Sequence, residues 1–308
     1  MDSDHARGIL LGLACGDALG RPVEFTSGPI EGDKQVTTML GNGTHGQPAG
    51  TVTDDTDMAL CIARSLADRE TFDPDDIASR FLKWYHDGPF DIGLMTVDAL
   101  RQLKSGTPWH EAGRQVWEHR SERQNAGNGS VMRCASLALA YQDSESLIHA
   151  SRQSSAITHY DPRCQYGCAV LNLTLRNLLD GHDTPLRAAL AHVKDDAPEE
   201  LVTALTGVPD AIDPTDLSAN GYVVSTLQTA LYHGLTAEST REAIITAVNM
   251  GGDADTIGAI TGALAGARYG ATDLPDEWQS DLRGVTTTEL RQLADGLVEQ
   301  TFPVVQCE

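Results

Sequence analysis

The chain has 308 residues, 41% of them hydrophobic, which suffices for a sizeable core and one large domain. Lys+Arg 22 against Asp+Glu 44 leaves a formal net charge of −22, a surface that repels phosphate backbones at long range and excludes nucleic-acid binding by bulk electrostatics. The 29 Asp, 15 Glu and only 4 Lys favour short carboxylates over long ammonium stems, as expected for a cytoplasm at high salt. There the Debye length falls to about 3 Å at 1 M and self-repulsion is screened. An acidic protein of dilute cytosol is the other reading.

The first segment, MDSDHARGILLGLACGDALG, carries acids ahead of its apolar run and lacks the basic lead of a secretory signal. No window reaches the roughly 18 continuous apolar residues of a membrane span. A soluble cytoplasmic protein is expected. Ile9, Leu10, Leu13 and Ala14 recur at helical steps and predict a first helix. Residues 28–50 lack such periodicity and read as a functional loop. Met58, Ala59, Ile62, Ala63 and Leu66 predict the next helix, and further windows cover 74–86, 91–104 and 108–122. Val131, Leu137, Leu139 and Ala140 continue the pattern, followed by 144–156, 162–179 and 185–194. After a joint at 207–221 come 222–234, 239–249, 254–268 and 287–300. Strand-like alternation is scarce, so the expected fold is all-α, a compact multi-helix bundle forming one domain over 1–308.

Six cysteines (Cys15, Cys61, Cys134, Cys164, Cys168 and Cys307) lie mostly in apolar helical patterns, which suits reduced, buried thiols better than a disulfide framework. Cys164 and Cys168 share a helix face near His159, but a zinc site there lacks a fourth ligand.

The sharpest feature is Thr53-Asp54-Asp55-Thr56-Asp57 at the start of an apolar helix. Thr53 suits an N-cap, and acids in a first turn gain about 0.3–1 kcal/mol each from the helix dipole. Capping needs one or two acids, not three. A bound hard cation with oxygen ligands relieves the repulsion of the rest. Gly251-Gly252-Asp253-Ala254-Asp255-Thr256 repeats that logic before another apolar helix, whose Gly258, Ala259, Gly262, Ala263 and Gly266 suit tight burial. Together the two blocks offer enough oxygen ligands for a pair of Mg²⁺ or Mn²⁺ ions. Two weaker elements complete the set. Glu24 follows GDALGRPV and reads, on composition, as a surface residue; Asn125-Ala126-Gly127-Asn128-Gly129-Ser130 is a turn whose amides could hold a phosphate.

Taken in order, GLACGDALGRPVEF, GTVTDDTDMAL, NAGNGSVMR, ITHYDPRC, GYVVSTLQTALYHG and NMGGDADTIGAITGALAGARYG resemble the motif series of the ADP-ribosylglycohydrolase family. This is the family of dinitrogenase-reductase-activating glycohydrolase, whose members reverse mono-ADP-ribosylation. The resemblance spans about residues 6–270 and implies a compact all-α fold with two divalent cations, Mg²⁺ or Mn²⁺, at the base of a cleft. It implies Thr53, Asp54, Asp55, Asp253, Asp255 and Thr256 as metal ligands, with Asp55, Asp255 and Glu24 in the catalytic centre. Asn125 and the turn Gly127, Asn128, Gly129 and Ser130 match the receiver of the ADP-ribose diphosphate; His159 and Asp161 match a loop near the distal ribose. Ser225 departs from the family, many members of which carry another polar or acidic residue there.

The implied reaction is hydrolysis of the bond between ADP-ribose and an acceptor: arginine, serine or a small ester. Its partners would be ADP-ribosylated proteins or small ADP-ribosyl substrates. With long-range steering of a diphosphate unfavourable, short-range devices must bind it, and Arg133 is a candidate if it is not a solvated helix residue. A non-catalytic ADP-ribose binder and a metal-dependent nucleotide phosphohydrolase are the rival functions.

Overall fold

The computed structural model describes residues 2–304, so Cys307 lies outside the described residues. Fifteen α-helices run through them, with no β-strand among the described residues and three isolated bridges. In chain order these are α1 (Ser3–Gly20), α2 (Asp54–Arg69), α3 (Pro74–His86), α4 (Leu94–Lys104) and α5 (Trp109–His119). They continue as α6 (Leu137–Ala140), α7 (Ser144–Ala156), α8 (Pro162–Leu179), α9 (Pro185–Val193) and α10 (Glu199–Thr206). The last five are α11 (Val223–Thr236), α12 (Thr240–Val248), α13 (Ala254–Tyr269), α14 (Asp276–Asp281) and α15 (Thr287–Glu299). The all-α bundle expected from periodicity is the observed fold.

Local chemistry sets many of the starts. Asp2, Thr53, Asp73, Asp143, Asp161, Ser239 and Thr286 each accept a backbone N–H of the helix they cap. Two short helices, α10 and α14, were not anticipated; each begins directly after a proline, Pro198 and Pro275, which supplies a preset φ. The pattern at 131–140 yields only the four residues of α6. Upstream of it the chain makes turns, the Asn128 carbonyl accepting from the amides of Val131 and Met132.

The core is organised around α1 and α13. Gly8, Gly12, Gly16 and Gly20 fall four residues apart on one face of α1 and meet Gly266, Gly262, Gly258 and Ala254 of α13 in reverse order, so the two helices run antiparallel at backbone contact. A Cβ on Gly16 would sit 2.0 Å from the Gly258 carbonyl oxygen. Helices α2, α12 and α15 pack around α1, while α8, α11 and α12 cover α13. The antiparallel register has one consequence for function. It sets the C-terminal end of α1 beside the N-terminal end of α13, bringing Asp17 and Glu24 to Asp253 and Asp255.

The 28–50 loop is non-helical apart from one 3₁₀ turn, Gly32–Lys34. It is tied down from within: the buried Arg21 guanidinium donates to the carbonyls of Leu40, Asn42, Pro48 and Thr51. All five described cysteines are free and buried. No helix among the described residues is long and apolar enough to cross a membrane.

Candidate active site

The start of α2 is built on an acid from another helix. Asp17, fully buried on α1, accepts from the Thr53 amide at 3.0 Å, the Thr53 hydroxyl at 3.0 Å, the Thr56 amide at 3.2 Å and the Thr56 hydroxyl at 2.5 Å. One carboxylate thus satisfies the amides that open α2 and the hydroxyls beside them. Burial pushes the Asp17 carboxyl up to about 7, against the pull of these hydrogen bonds. Asp57, the third acid of the first block, turns away and accepts from the Trp84 indole N–H at 3.0 Å.

The two acidic blocks meet. The Thr256 hydroxyl donates to Asp55 Oδ2 at 3.4 Å, although 201 residues separate them. The Thr53 hydroxyl also lies 3.2 Å from that oxygen, while Asp55 Oδ1 is buried with no hydrogen-bond partner. Carboxylate oxygens of Glu24, Asp253 and Asp255 lie within 4.8 Å of one another, and Asn128 donates its amide to Asp253 Oδ2 at 2.5 Å. Glu24 is held there by its neighbour: the Phe25 amide donates to the Gly252 carbonyl at 2.6 Å and the Gly252 amide returns a bond to Thr26. Phe25 pays for the position with a φ of 62°, unusual for a side chain of that size.

These groups line a cleft of about 660 Å³ that also takes in Asp54, Asp91, Gly127, Asn128, Gly129, Met132, His159 and Tyr222. Burial first, then the neighbouring acids, holds Asp54, Asp55 and Asp255 well above the usual carboxylate range. The same causes, with Asp91 the largest neighbour, push Glu24 up to about 9.

The glycine turn rests on His159. A Cβ at Gly129 would lie 2.8 Å from His159 Cε1, so the missing side chain is what lets the ring approach the cleft. The Thr158 hydroxyl accepts from Arg133 at 2.7 Å and lies 2.7 Å from His159 Nδ1, so its own proton is free to be given to that nitrogen. In that arrangement the imidazole proton sits on Nε2, on the side of the turn. Burial first, then Arg133 and Arg120, lowers the His159 pKa to about 3, keeping the ring neutral.

Other expected positions lie off the cleft wall. Thr53 faces Asp17 and Asp55. Asn125 donates to the carbonyls of Trp117 and Arg120, Ser130 bonds the Ser155 hydroxyl at 2.9 Å, and Asp161 accepts from Trp117 and Arg163 as the α8 cap. The backbone N–H of Asn128 is already given to the Gly221 carbonyl, so the turn offers fewer amides than its composition suggests. Arg133 fits neither expectation. Its guanidinium is fully buried 4.6 Å above the Phe81 ring, where burial lowers its pKa to about 10. The Ser225 hydroxyl clasps Asn220 at 2.6 Å.

The ADP-ribosylglycohydrolase family profile matches residues 2–304. ADP-ribosyl-[dinitrogen reductase] glycohydrolase of Rhodospirillum rubrum is 34% identical over 96% of this chain and 96% of its own. ADP-ribosylarginine hydrolase Tri1 of Serratia proteamaculans is 32% identical over 96% of this chain and 79% of its own. A solved structure titled ADP-ribosylglycohydrolase-related protein complex superimposes with a TM-score of 0.82 at 36% identity, covering 97% of this chain and 99% of that one. The chain belongs to the ADP-ribosylglycohydrolase family. It is a hydrolase, and ADP-ribosyl glycohydrolysis is the activity that membership carries.

This ADP-ribosylglycohydrolase also has residues at or behind its cleft to which the sequence pattern gives no role. Asp17 lies behind the cleft in the GDALG motif, His45 comes from the 28–50 loop, and Asp91, which the 91–104 window places at a helix start, stands in the turn before α4, which begins only at Leu94. The donor set also fits the metal dependence of the family. Buried carboxylates converge, one oxygen of Asp55 is orphaned, and the hydroxyls of Thr53 and Thr256 stand beside it, a set of oxygen donors that suits a hard divalent cation.

Proposed function

We propose that this enzyme hydrolyses the glycosidic bond between C1″ of the distal ribose and an arginine nitrogen, releasing ADP-ribose and an unmodified guanidinium. What supports this reading is the contact between Thr256 and Asp55, which makes one oxygen-rich centre of two distant acidic blocks. The acceptor is inferred from charge. The cleft is lined by Glu24, Asp54 and Asp91, whose acidity suits a cationic guanidinium better than a serine hydroxyl or an ester. Relatives named ADP-ribosylarginine hydrolase agree with that choice.

Asp54, Asp55, Asp253, Asp255 and Thr256 would hold two divalent cations, Mg²⁺ or Mn²⁺, with Thr53 joining through the hydroxyl it presents to Asp55. When bound, such ions supply positive charge for the vicinal ribose hydroxyls and acidify a water. The remaining work falls to the protein. Asn128 orients Asp253, Asp17 fixes the start of α2, and His159 offers an Nε2–H donor beneath the turn Gly127–Ser130, where the diphosphate would lie. Asn125 and Asp161 act from behind, bracing the segments that carry the turn and His159. Beside bound cations the ionised form of Glu24 would be favoured over the protonated one that burial and the neighbouring acids impose. The carboxylate would then take the proton of the attacking water and pass it to the departing arginine nitrogen as the C1″–N bond breaks through an oxocarbenium-like transition state. Residues 1–308 are read as one catalytic unit working in a cytoplasm at high salt.

The test is incubation of the full chain with ADP-ribosyl-arginine, ADP-ribosyl-serine and a small ADP-ribosyl ester in Mg²⁺ or Mn²⁺, with analysis of products. Intact ADP-ribose from the arginine conjugate is the expected result. Binding of ADP-ribose without any product would instead identify a non-catalytic binder, and AMP or phosphate a phosphohydrolase.

A further inference from the structure

The mouth of the cleft holds a second group of donors, different in kind from the first. His45 Nε2 lies 2.8 Å from Glu24 Oε2 and 3.5 Å from Asp91 Oδ2, and the three donor atoms all fall within 4.8 Å of one another. They come from three segments: Glu24 after α1, His45 from the 28–50 loop and Asp91 from the turn before α4. Each is braced. The Thr44 hydroxyl donates to the Glu24 carbonyl at 2.9 Å, the Asn42 amide closes the loop onto the Gln47 carbonyl at 2.7 Å, and the Phe90 ring stands 5.4 Å from the imidazole. Side-chain exposures of 6% for Glu24, 15% for His45 and 17% for Asp91 leave the group shielded yet reachable from the mouth.

An ordinary ion pair accounts for only part of this arrangement. One Nε2–H can serve one carboxylate well, and here two compete for it. Once both carboxyls have given up their protons to an incoming ion, they carry two negative charges, the complement of a dication. Bond lengths of about 2.0–2.2 Å in a tetrahedral zinc site place neighbouring donors about 3.4 Å apart. The observed 2.8 and 3.5 Å bracket that spacing. One imidazole nitrogen with two carboxylates selects a borderline ion such as Zn²⁺, whereas the all-oxygen centre below suits Mg²⁺ or Mn²⁺.

We propose that Glu24, His45 and Asp91 form a separate binding site for Zn²⁺ or a like transition-metal ion, with its fourth position open toward the cleft. Glu24 is common to this trio and to the group with Asp253 and Asp255, so an ion at the mouth draws that carboxylate outward and stands in the path of the substrate. Such an ion therefore inhibits turnover. The inhibitory half rests on the proposed function; the binding half does not.

The test uses the full chain in saturating Mg²⁺, titrated with Co²⁺ as a spectroscopic probe and then with Zn²⁺ in competition. Wild type is expected to show visible Co²⁺ bands of low coordination number that Zn²⁺ displaces. His45→Gln should weaken Co²⁺ binding about 10-fold or more and alter the bands, and Asp91→Asn should weaken it on the same scale. Identical affinity and spectra in wild type and both variants would overturn the site. In the activity arm, the Zn²⁺ concentration that halves each protein's own Mg²⁺-supported rate should rise about 10-fold or more in His45→Gln. Binding that depends on His45 while Zn²⁺ leaves turnover unchanged would overturn the inhibitory half. Absence of turnover in wild type before Zn²⁺ is added would count against the proposed function, with the Co²⁺ titration still deciding the site.

Discussion

Gly12 and Gly262 pass so closely that a Cβ on Gly12 would stand 2.0 Å from the Gly262 carbonyl oxygen. Backbone on both sides leaves nothing flexible to yield. Gly12→Ala is therefore expected to destabilise the protein by about 3 kcal/mol or more, at or beyond the upper end of ordinary overpacking. Gly296 in α15 supplies the contrast, since a Cβ there meets nothing within 4 Å; Gly296→Ala should raise stability by about 0.5–1 kcal/mol. Denaturant unfolding of both variants measures this, and equal effects would contradict the packing of α1 on α13.

Asp17 sits behind the cleft and does not line it, yet it fixes the first turn of α2 on which Asp54 and Asp55 ride. Asp17→Asn keeps the shape but replaces one acceptor oxygen by a donor facing the Thr53 and Thr56 donors. The expected result is a Mg²⁺ or Mn²⁺ affinity lower by about 10- to 100-fold, measured by calorimetry, with the helical circular dichroism signal retained. Unchanged affinity would show that the turn holds its place without the acid.

Removal of divalent cations should lower thermal stability. Carboxylates that converge in a buried cleft repel one another, and an ion that binds only the folded chain adds about 2.7 kcal/mol at 100 times its dissociation constant. Excess chelator is expected to lower Tm by several degrees in wild type and by little in Asp55→Asn, which has lost one charge of the centre. Asp55→Asn should also lose at least about 10²-fold in kcat/KM, the scale of removing one preorganised charged or polar group. A wild-type Tm indifferent to chelator would count against a structural part for the ions.

Much of the fold was legible because helix periodicity and capping are local. The α3, α7 and α8 ranges follow directly from the spacing of apolar residues and from Asp73, Asp143 and Asp161 at their starts. The acidic blocks were legible because three acids exceed what a cap needs. Asp17 was not, since a single acid in an apolar helix acquires its role only from Thr53 and Thr56, 36 and 39 residues further on. His45 was hidden for a related reason, since it belongs to a loop, where spacing says nothing of direction; Asp91 fell inside the 91–104 helical window, but α4 begins only at Leu94 and leaves it in the preceding turn. Asn125, Ser130 and Asp161 were marked by the family motifs, which do not say where a side chain points; here their side chains bond Trp117, Ser155 and Arg163 behind the cleft wall.

Salt should stabilise this chain. With a net charge of −22, self-repulsion opposes compaction, and the screening length shrinks from about 10 Å at 0.1 M to about 3 Å at 1 M. Tm is expected to rise between 0.1 and 2 M KCl. A fall across that range would remove the high-salt reading of its composition.

Two buried imidazoles set an acid limit on stability. Burial lowers the pKa of His233 to about 4, while burial and nearby arginines lower that of His159 to about 3. In the unfolded chain both return to about 6.5. A base whose folded pKa is depressed takes up its proton more readily when unfolded, so its contribution is complete above pH 6.5 and is lost as pH falls toward the folded value. The slope is about 1.4 kcal/mol per pH unit for each ring. His233 is the cleaner probe, because its Nε2 lies 3.2 Å from the Met250 sulfur and away from the acid centre. Stability of wild type minus that of His233→Gln, measured by denaturant unfolding at constant salt, should be flat above pH 6.5 and decline by up to about 1.4 kcal/mol per unit from there to pH 4. Taking the difference cancels the titration of the cleft carboxylates, which both proteins share. A difference independent of pH would mean that the His233 ring is protonated as easily in the folded protein as in water.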